Sequence, residues 1–236
     1  MKRAFLLLII SNMSAVCISQ NSFCLESMIG YLDSMNTIPL PNNGKVYYLQ
    51  YNTSIKYNKK ENIPDISTTT DIIMGENKQV VEDKNMKVYA DDKNVFVVIP
   101  LKKIIYWNSS DPKIFSKNIA FSEFIDLEKK MLQNANVTCT QGSNKIYIEI
   151  VPDDKFKRYL SLKKQKVIYD LSSKRIESVT NYFNENNSIS EQTIFYEIID
   201  YDSAIKIKDA SVNYIFASGS LRKAYQDYTI IDNRTK

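Results

Sequence analysis

The chain has 236 residues, with 31 Lys and Arg against 27 Asp and Glu, a net charge of +4 and no histidine. Without histidine, Ser-His-Asp and Cys-His catalytic sites and histidine-containing zinc sites are excluded. The charges are nearly balanced and scattered along the chain, which argues against nucleic acid as a partner.

Residues 1–19 have the order of a secretory signal peptide. Lys2 and Arg3 precede an apolar run over residues 4–10, and small and polar residues follow as far as Ser19. The run is too short to span a bilayer, which takes about 20 apolar residues. We expect cleavage after Ser19, which lowers Lys and Arg from 31 to 29 and the net charge from +4 to +2. The mature domain, residues 20–236, would then be periplasmic, with lipid attachment at Cys17 as the alternative.

Cys24 and Cys139 are the two cysteines that remain after this cleavage. In an export compartment they can form a disulfide that ties the first helix to a strand in the middle of the chain. The alternative is two buried free thiols, which behave as small apolar residues. Two cysteines cannot build a cysteine-rich metal site, so we expect no metal and no cofactor.

Helical spacing of apolar residues predicts two helices, and strand signals dominate elsewhere. The first helix covers residues 22–35 with Ser22 as its cap, and the second covers residues 122–133. Predicted strands in the first half are 45–57, 66–74, 86–90, 95–99 and 103–107. Predicted strands in the second half are 145–151, 157–162, 166–170, 175–183, 192–199, 211–217 and 224–231.

Short strands joined by polar turns favour an antiparallel meander. The two helices are too few to cover both faces of a parallel sheet. The fold class we predict is therefore mainly β (α+β), a curved antiparallel sheet that forms an incomplete β-barrel with helices over its concave face. We expect residues 20–236 to form a single domain, since no linker interrupts them.

Pairs of acidic residues are the only candidates for an enzyme site. They are Asp91–Asp92, Asp153–Asp154 and Asp200 with Asp202. Such pairs can serve a hydrolase or hold calcium. Each stands where a turn is expected, and Asp favours turns because its carboxylate binds nearby backbone N–H groups. We therefore predict turns and no enzymatic activity.

Sixteen tyrosines and ten phenylalanines are the strongest positive feature of the composition. Aromatic residues suit strands in any case, and ordinary sheet composition accounts for most of them. Some strands, however, are apolar on both faces; Val95–Ile99 has no polar face at all. Such strands need cover on both sides, either from protein or from a ligand.

Three segments resemble the LolA-type periplasmic lipoprotein carriers. The first runs from Met86 through the turn at Asp91–Asn94 to Pro100 and Trp107; the second is the helix near 114–133; the third is the meander from Lys145 to Ile199 with Tyr169-Asp170-Leu171 in a turn. The chain departs from the family at Asp92, where the family has Gly. It also lacks the Pro, Arg and Trp that the family carries before this turn.

The resemblance implies an incomplete barrel with a helical lid that binds lipid or acylated lipoprotein. Acyl chains gain about 0.8 kcal/mol per buried methylene. The alternative is a non-catalytic subunit or scaffold of an envelope complex with the same fold and a protein-filled core. Envelope membrane proteins are then further partners. The residues we predict to line a hydrophobic cavity are Phe96, Val98, Ile104, Tyr106, Phe124, Ile146 and Ile148.

Overall fold

The computed structural model of the chain describes residues 23–35, 37, 38, 41, 44–111, 119–208 and 210–234, and of residues 119–124 the backbone alone. The signal peptide, Cys17 and the predicted cap Ser22 lie outside the described residues. Helices are α1 (23–35), α2 (Ile119–Gln133), α3 (Asp154–Leu160) and α4 (Val212–Ile215). The longest described helix is too short and polar to be a candidate membrane span.

Fourteen strands account for about half of the described structure. The first seven are β1 (Val46–Tyr57), β2 (Ile66–Met74), β3 (Gln79–Glu82), β4 (Lys87–Ala90), β5 (Asn94–Ile99), β6 (Ile104–Ser109) and β7 (Asn136–Gln141). The others are β8 (Lys145–Val151), β9 (Leu162–Asp170), β10 (Arg175–Phe183), β11 (Ile189–Ser203), β12 (Phe216–Ala217), β13 (Ser220–Leu221) and β14 (Thr229–Asp232). The mainly β class predicted from the sequence is confirmed.

Twelve of these strands form one sheet in the order β14-β6-β5-β4-β3-β2-β1-β11-β10-β9-β8-β7, and β12 and β13 form a separate hairpin. The strand β14 pairs in parallel with β6, so the sheet is not a pure antiparallel meander. The ends of this order, β14 and β7, are not neighbours among the described strands, and the sheet is open.

Two predicted strands are helices in the structure. Residues 157–162 fall mostly in α3, because the Asp153 carboxylate accepts a hydrogen bond from the backbone N–H of Phe156 at 2.8 Å and caps the helix. Residues 211–217 contain α4, with only Phe216 and Ala217 in a strand. Only the end of the predicted strand 224–231 is extended, as β14.

Contacts within the chain divide it into two compact units. The first unit contains the described residues up to Thr37, Ile55–Asp65 and Ser122–Ile194; the second contains Ile38–Ser54, Ile66–Phe121 and Phe195–Lys236. Strands β1 and β11 each contribute residues to both units. The single domain over 20–236 stays a prediction.

In the first unit, α1 lies on the sheet face that carries Ile146 and Ile148. Cys24 of α1 forms a disulfide with Cys139 of β7, and Cys139 is paired across the strands with Ile148. The buried residues Cys24, Met28 and Leu32 follow one stripe of α1, as the helical spacing predicts. This side of the unit is therefore closed by the chain itself.

An acidic side chain lies on the core-facing stripe of α2. Ile125 and Leu132 are fully buried, and Glu128 stands one turn from each on the same side of the helix. Burial raises the pKa of the Glu128 carboxyl to about 7.

Removal of the disulfide is expected to destabilise the first unit. Cys24 and Cys139 are 115 residues apart, so the bond restricts a long loop in the unfolded chain. We expect the double variant C24A/C139A to lose about 2–4 kcal/mol of unfolding free energy in urea titrations. Reductant should destabilise the wild type equally and leave the double variant unchanged. Equal stability of wild type and variant would contradict this account.

Glu128 is expected to make stability depend on pH. Between the unfolded pKa of 4.5 and the folded value of about 7, the folded state keeps a proton that the unfolded state has released. Stability therefore falls as pH rises through this window. At pH 8.5, Glu128→Gln should be about 1–3 kcal/mol more stable than the wild type, less than the full shift because water partly screens the group. The gain should shrink by pH 5. Asp126→Asn, on the exposed side of α2, is the control and should show no such trend.

Candidate functional site

The two faces of the sheet in the second unit differ sharply in charge. Cross-strand pairing assigns each residue of β2–β6 and β14 to one face, because side chains alternate along a strand. One face, here called the covered face, includes Val80, Tyr89, Phe96, Val98 and Ile105. It also carries the charged residues of these strands, which are Asp71, Glu82, Lys87 and Asp232.

A C-terminal segment, of which residues 207, 208 and 210–228 are described, packs on the covered face. Ile215 and Tyr225 are buried there with Phe96 and Val98. The ring of Tyr214 stacks on Tyr89 with centroids 4.3 Å apart. The covered face is therefore a filled core, formed from the strands and the segment that follows β11.

Asp91 attaches this segment to the sheet. Its Oδ1 accepts hydrogen bonds from the backbone N–H groups of Lys93 and Asn94, each at 2.8 Å. Its Oδ2 accepts two bonds of 2.7 Å from Ser211, one from the backbone and one from the hydroxyl. Burial alone would raise the pKa of this carboxyl, but the hydrogen bonds, chiefly those from Ser211, outweigh it and lower the pKa.

The opposite face of the same strands carries no charged side chain, and we call it the uncharged face. Its central row crosses six strands through consecutive cross-strand pairs. All members of the row are apolar or aromatic and partly exposed: Ile72, Val81, Val88, Val97, Tyr106 and Ile231. A sheet face that is simply solvated would be polar, so this face is suited to an apolar partner.

The rows that flank the central row are also uncharged within the strands. One flank contains Ile99 and Ile104, which are paired. The other contains Ala90 and Val95, also paired, with Met74 beside Gln79. The polar side chains on this face are amides and hydroxyls toward its margins, so its centre offers contact area with few hydrogen-bonding groups.

Six of the seven predicted lining residues fall in three places. Ile104 and Tyr106 lie on the uncharged face, whereas Phe96 and Val98 lie on the covered face and are fully buried under the C-terminal segment. In the first unit, Ile146 and Ile148 are buried.

Phe124 belongs to α2, but its side chain lies outside the described residues. Contact of these seven residues with a ligand stays a prediction. Of the central row the sequence reasoning named Tyr106 and missed the other five residues, whose placement depends on strand register: Ile72, Val81, Val88, Val97 and Ile231.

In each of the three acidic pairs one carboxylate accepts a hydrogen bond from a nearby backbone N–H group, and Asp91 also binds the distant Ser211. The predicted turn is found at Asp91–Asp92, but the turn prediction is wrong for the other two pairs, because Asp153 caps a helix and Asp200 and Asp202 lie within β11. Asp91 binds the N–H groups of its own turn, and Asp153 caps α3. Asp200 Oδ1 accepts a hydrogen bond from the backbone N–H of Asp202 at 3.0 Å. Among the residues with described side chains, no group of three or more acidic or cysteine residues is arranged to hold a metal ion.

Two adjoining polar clefts occur in the first unit. One, of about 460 Å³, is lined by Val151, Lys157, Lys163, Lys164, Asn184 and Glu185. The other, of about 500 Å³, is lined by Arg158, Ser161, Asn184, Asn186, Asn187 and Ser188. Both are open and are lined mainly by charged, amide and hydroxyl side chains, so neither has the aliphatic and aromatic side chains that usually surround an apolar ligand.

Comparison with known proteins gives similarity in structure alone. No family model matches the sequence, and no curated protein shows significant similarity to it. The structure is similar to an uncharacterized conserved protein from Thermus thermophilus at 5% identity, with a TM-score of 0.41 and coverage of 87% of this chain and 98% of that one.

Two further structures to which the chain is similar are named for lipoprotein sorting or for the LolA superfamily, the family that the sequence resembles. A domain assigned to outer membrane lipoprotein sorting from Vibrio parahaemolyticus is 9% identical, with a TM-score of 0.31 and coverage of 80% and 97%. A LolA superfamily protein from Nitrosomonas europaea is 8% identical, with a TM-score of 0.27 and coverage of 80% and 96%. LolA-like structures are thus among those the chain is similar to. TM-scores below 0.5 carry no information about activity or cargo.

Proposed function

We propose that the protein is a non-enzymatic carrier of the bacterial envelope that binds the acyl chains of a lipid or lipoprotein on the uncharged face. The observation that carries the proposal is the charge pattern of the second unit. All charged side chains of β2–β6 and β14 stand on the covered face or at strand ends, and none stands on the opposite face. The signal-like residues 1–19 support export to the periplasm.

The dimensions of the uncharged face suit an acyl chain. Neighbouring strands are about 4.8 Å apart, so a row across six strands is about 24 Å long. One leaflet of a bilayer is about 15 Å of hydrocarbon, half of the total thickness of about 30 Å. An acyl chain can therefore lie along the central row, from Ile72 to Ile231, with its methylenes against β-branched side chains. Each methylene removed from water contributes about 0.8 kcal/mol.

A second candidate function is a non-catalytic scaffold in an envelope complex. The observation in its favour is that Phe96, Val98, Ile146 and Ile148 are each at most 1% exposed, so the cores of both units are filled by the chain's own side chains. In that case another protein would cover the uncharged face. The same experiment separates the two functions, because only a carrier binds lipid without another protein.

The double variant V88T/V97T tests acyl binding. Val and Thr have nearly the same shape, but each Thr places a hydroxyl against the proposed chain at a cost of about 1 kcal/mol or more. We expect a fluorescent fatty acid to bind the wild type and to bind this variant at least about tenfold more weakly. The control V137T/V151T makes the same change at partly exposed positions of β7 and β8 and should bind normally.

Mass spectrometry of organic extracts from the purified protein gives a second readout. We expect lipid to copurify with the wild type and the control, and to be depleted from V88T/V97T. A wild type that neither copurifies with lipid nor binds fatty acid would exclude the carrier function and leave the scaffold. Equal binding by the two double variants would show that the acyl chain binds elsewhere.

A further inference from the structure

A basic segment with an exposed aromatic side chain follows β8 in the first unit. It comprises α3 and the start of β9, and it contains six cations in the span 155–166. Asp153 caps α3 at its start, and Ser161, with φ of 53°, ends it and reverses the chain into β9. The two short elements are thereby held against each other by local geometry.

The exposed side of α3 presents Lys155, Arg158 and Tyr159 to solvent. These three side chains lie within about one helical turn. Tyr159 is 73% exposed, the most exposed aromatic residue among those whose side chains are described. Phe156 and Leu160 lie on the inner side and are partly buried. Because the ring of Tyr159 stands in water on a short, well-anchored helix, it contributes no packing energy to the fold.

The cations of this segment differ in whether an acidic residue balances them. Lys164 and Lys166 are both within 4 Å of Glu149, and Lys157 is within 4 Å of Asp154. The remaining three have no ion pair among the described residues: Lys155, Arg158 and Lys163. Arg158 Nε donates only to the backbone carbonyl of Asp154, at 3.2 Å.

Space for an anionic group exists beside these cations. The two polar clefts meet at Asn184, and their walls include Lys157, Arg158, Lys163 and Lys164. Glu185 is the acidic residue in the lining. A phosphate group could thus approach several cations together with amide groups that donate hydrogen bonds.

We propose that α3 and the start of β9 dock the protein on the surface of a membrane that contains anionic phospholipid. The headgroup phosphates contact Lys155, Arg158 and Lys163, and Tyr159 enters the headgroup region. Tyrosine favours this region because its ring is apolar and its hydroxyl is polar. This combination favours a lipid surface over an acidic protein, since the aromatic side chain is flanked by cations and lines neither of the two clefts.

The docking surface consists of first-unit residues alone and does not rest on the proposed acyl cargo. Each Lys or Arg close to an anionic membrane strengthens binding about fivefold. The expected contribution of the three unpaired cations together is therefore about 100-fold. The attraction is also screened by salt, because the Debye length falls from about 10 Å at 0.1 M to about 3 Å at 1 M.

Sedimentation with vesicles tests this surface. The mature protein, residues 20–236, should bind vesicles of phosphatidylcholine with phosphatidylglycerol, and bind pure phosphatidylcholine vesicles far more weakly. The triple variant K155Q/R158Q/K163Q should lower the partition coefficient by about 100-fold. Tyr159→Ser should lower it severalfold with little change in salt dependence. The control K93Q/K206Q/K223Q removes the same charge at exposed positions of the second unit and should bind as the wild type does.

Each outcome bears on the proposal. Loss of binding by the α3 variants, with normal binding by the control and normal fatty-acid binding by all variants, supports it. A wild type that does not distinguish the two vesicle compositions overturns it, as does an equal loss in the control. If the α3 variants lose fatty-acid binding but keep vesicle binding, these residues act in the proposed carrier function. That result would overturn the docking surface at α3. Circular dichroism of each variant establishes that the fold is retained.

Discussion

Cross-strand register in the second unit is the constraint on which the proposed function depends. Because side chains alternate along a strand, one register fixes the face of every residue in β2–β6 and β14. The observed register places Glu82 opposite Lys87 and Val81 opposite Val88. A shift of one residue in β2, β3, β4 or β14 would bring a charged side chain into the uncharged face. The hydrophobic core on the covered face opposes such a shift, since a shift of β3 or β4 would expose Val80 or Tyr89.

The C-terminal segment lowers the free-energy cost of this register by removing one apolar face from water. A sheet that is apolar on both faces cannot leave both in water at no cost. The described residues of this segment cover one face with Tyr214, Ile215 and Tyr225, and the Asp91–Ser211 hydrogen bonds hold the segment in place. The charged residues of the strands stand on that same face, at the margins of the core. The usual arrangement, with the core on one side and charge on the other, is thereby absent from this unit.

Secondary structure could be predicted well from local pattern, and the site only in part. The strands Ile66–Met74, Lys145–Val151 and Arg175–Phe183 have their predicted bounds, because their alternation or β-branched composition is clear. The prediction of a strand over residues 157–162 was wrong, since the Asp153 cap and the helix-forming Lys and Arg residues outweighed the strand preference of the apolar residues. The strand β3 was missed because it is short and half polar.

The face of a strand cannot be inferred when both of its faces are apolar. In Val95–Ile99 the alternate residues Val95, Val97 and Ile99 are as hydrophobic as Phe96 and Val98, so composition does not say which set meets solvent. The pairing with the neighbouring strand decides the face: Val97 is paired with Tyr106, and Phe96 with Trp107.

The small number of hydrogen-bonding groups on the uncharged face favours lipid as the ligand. A face that binds its ligand through apolar contact area rather than through hydrogen bonds discriminates poorly between ligands of similar shape. Such a face suits acyl chains that differ only in length. A protein partner would need polar groups to fix its orientation, and the central row offers only the Tyr106 hydroxyl.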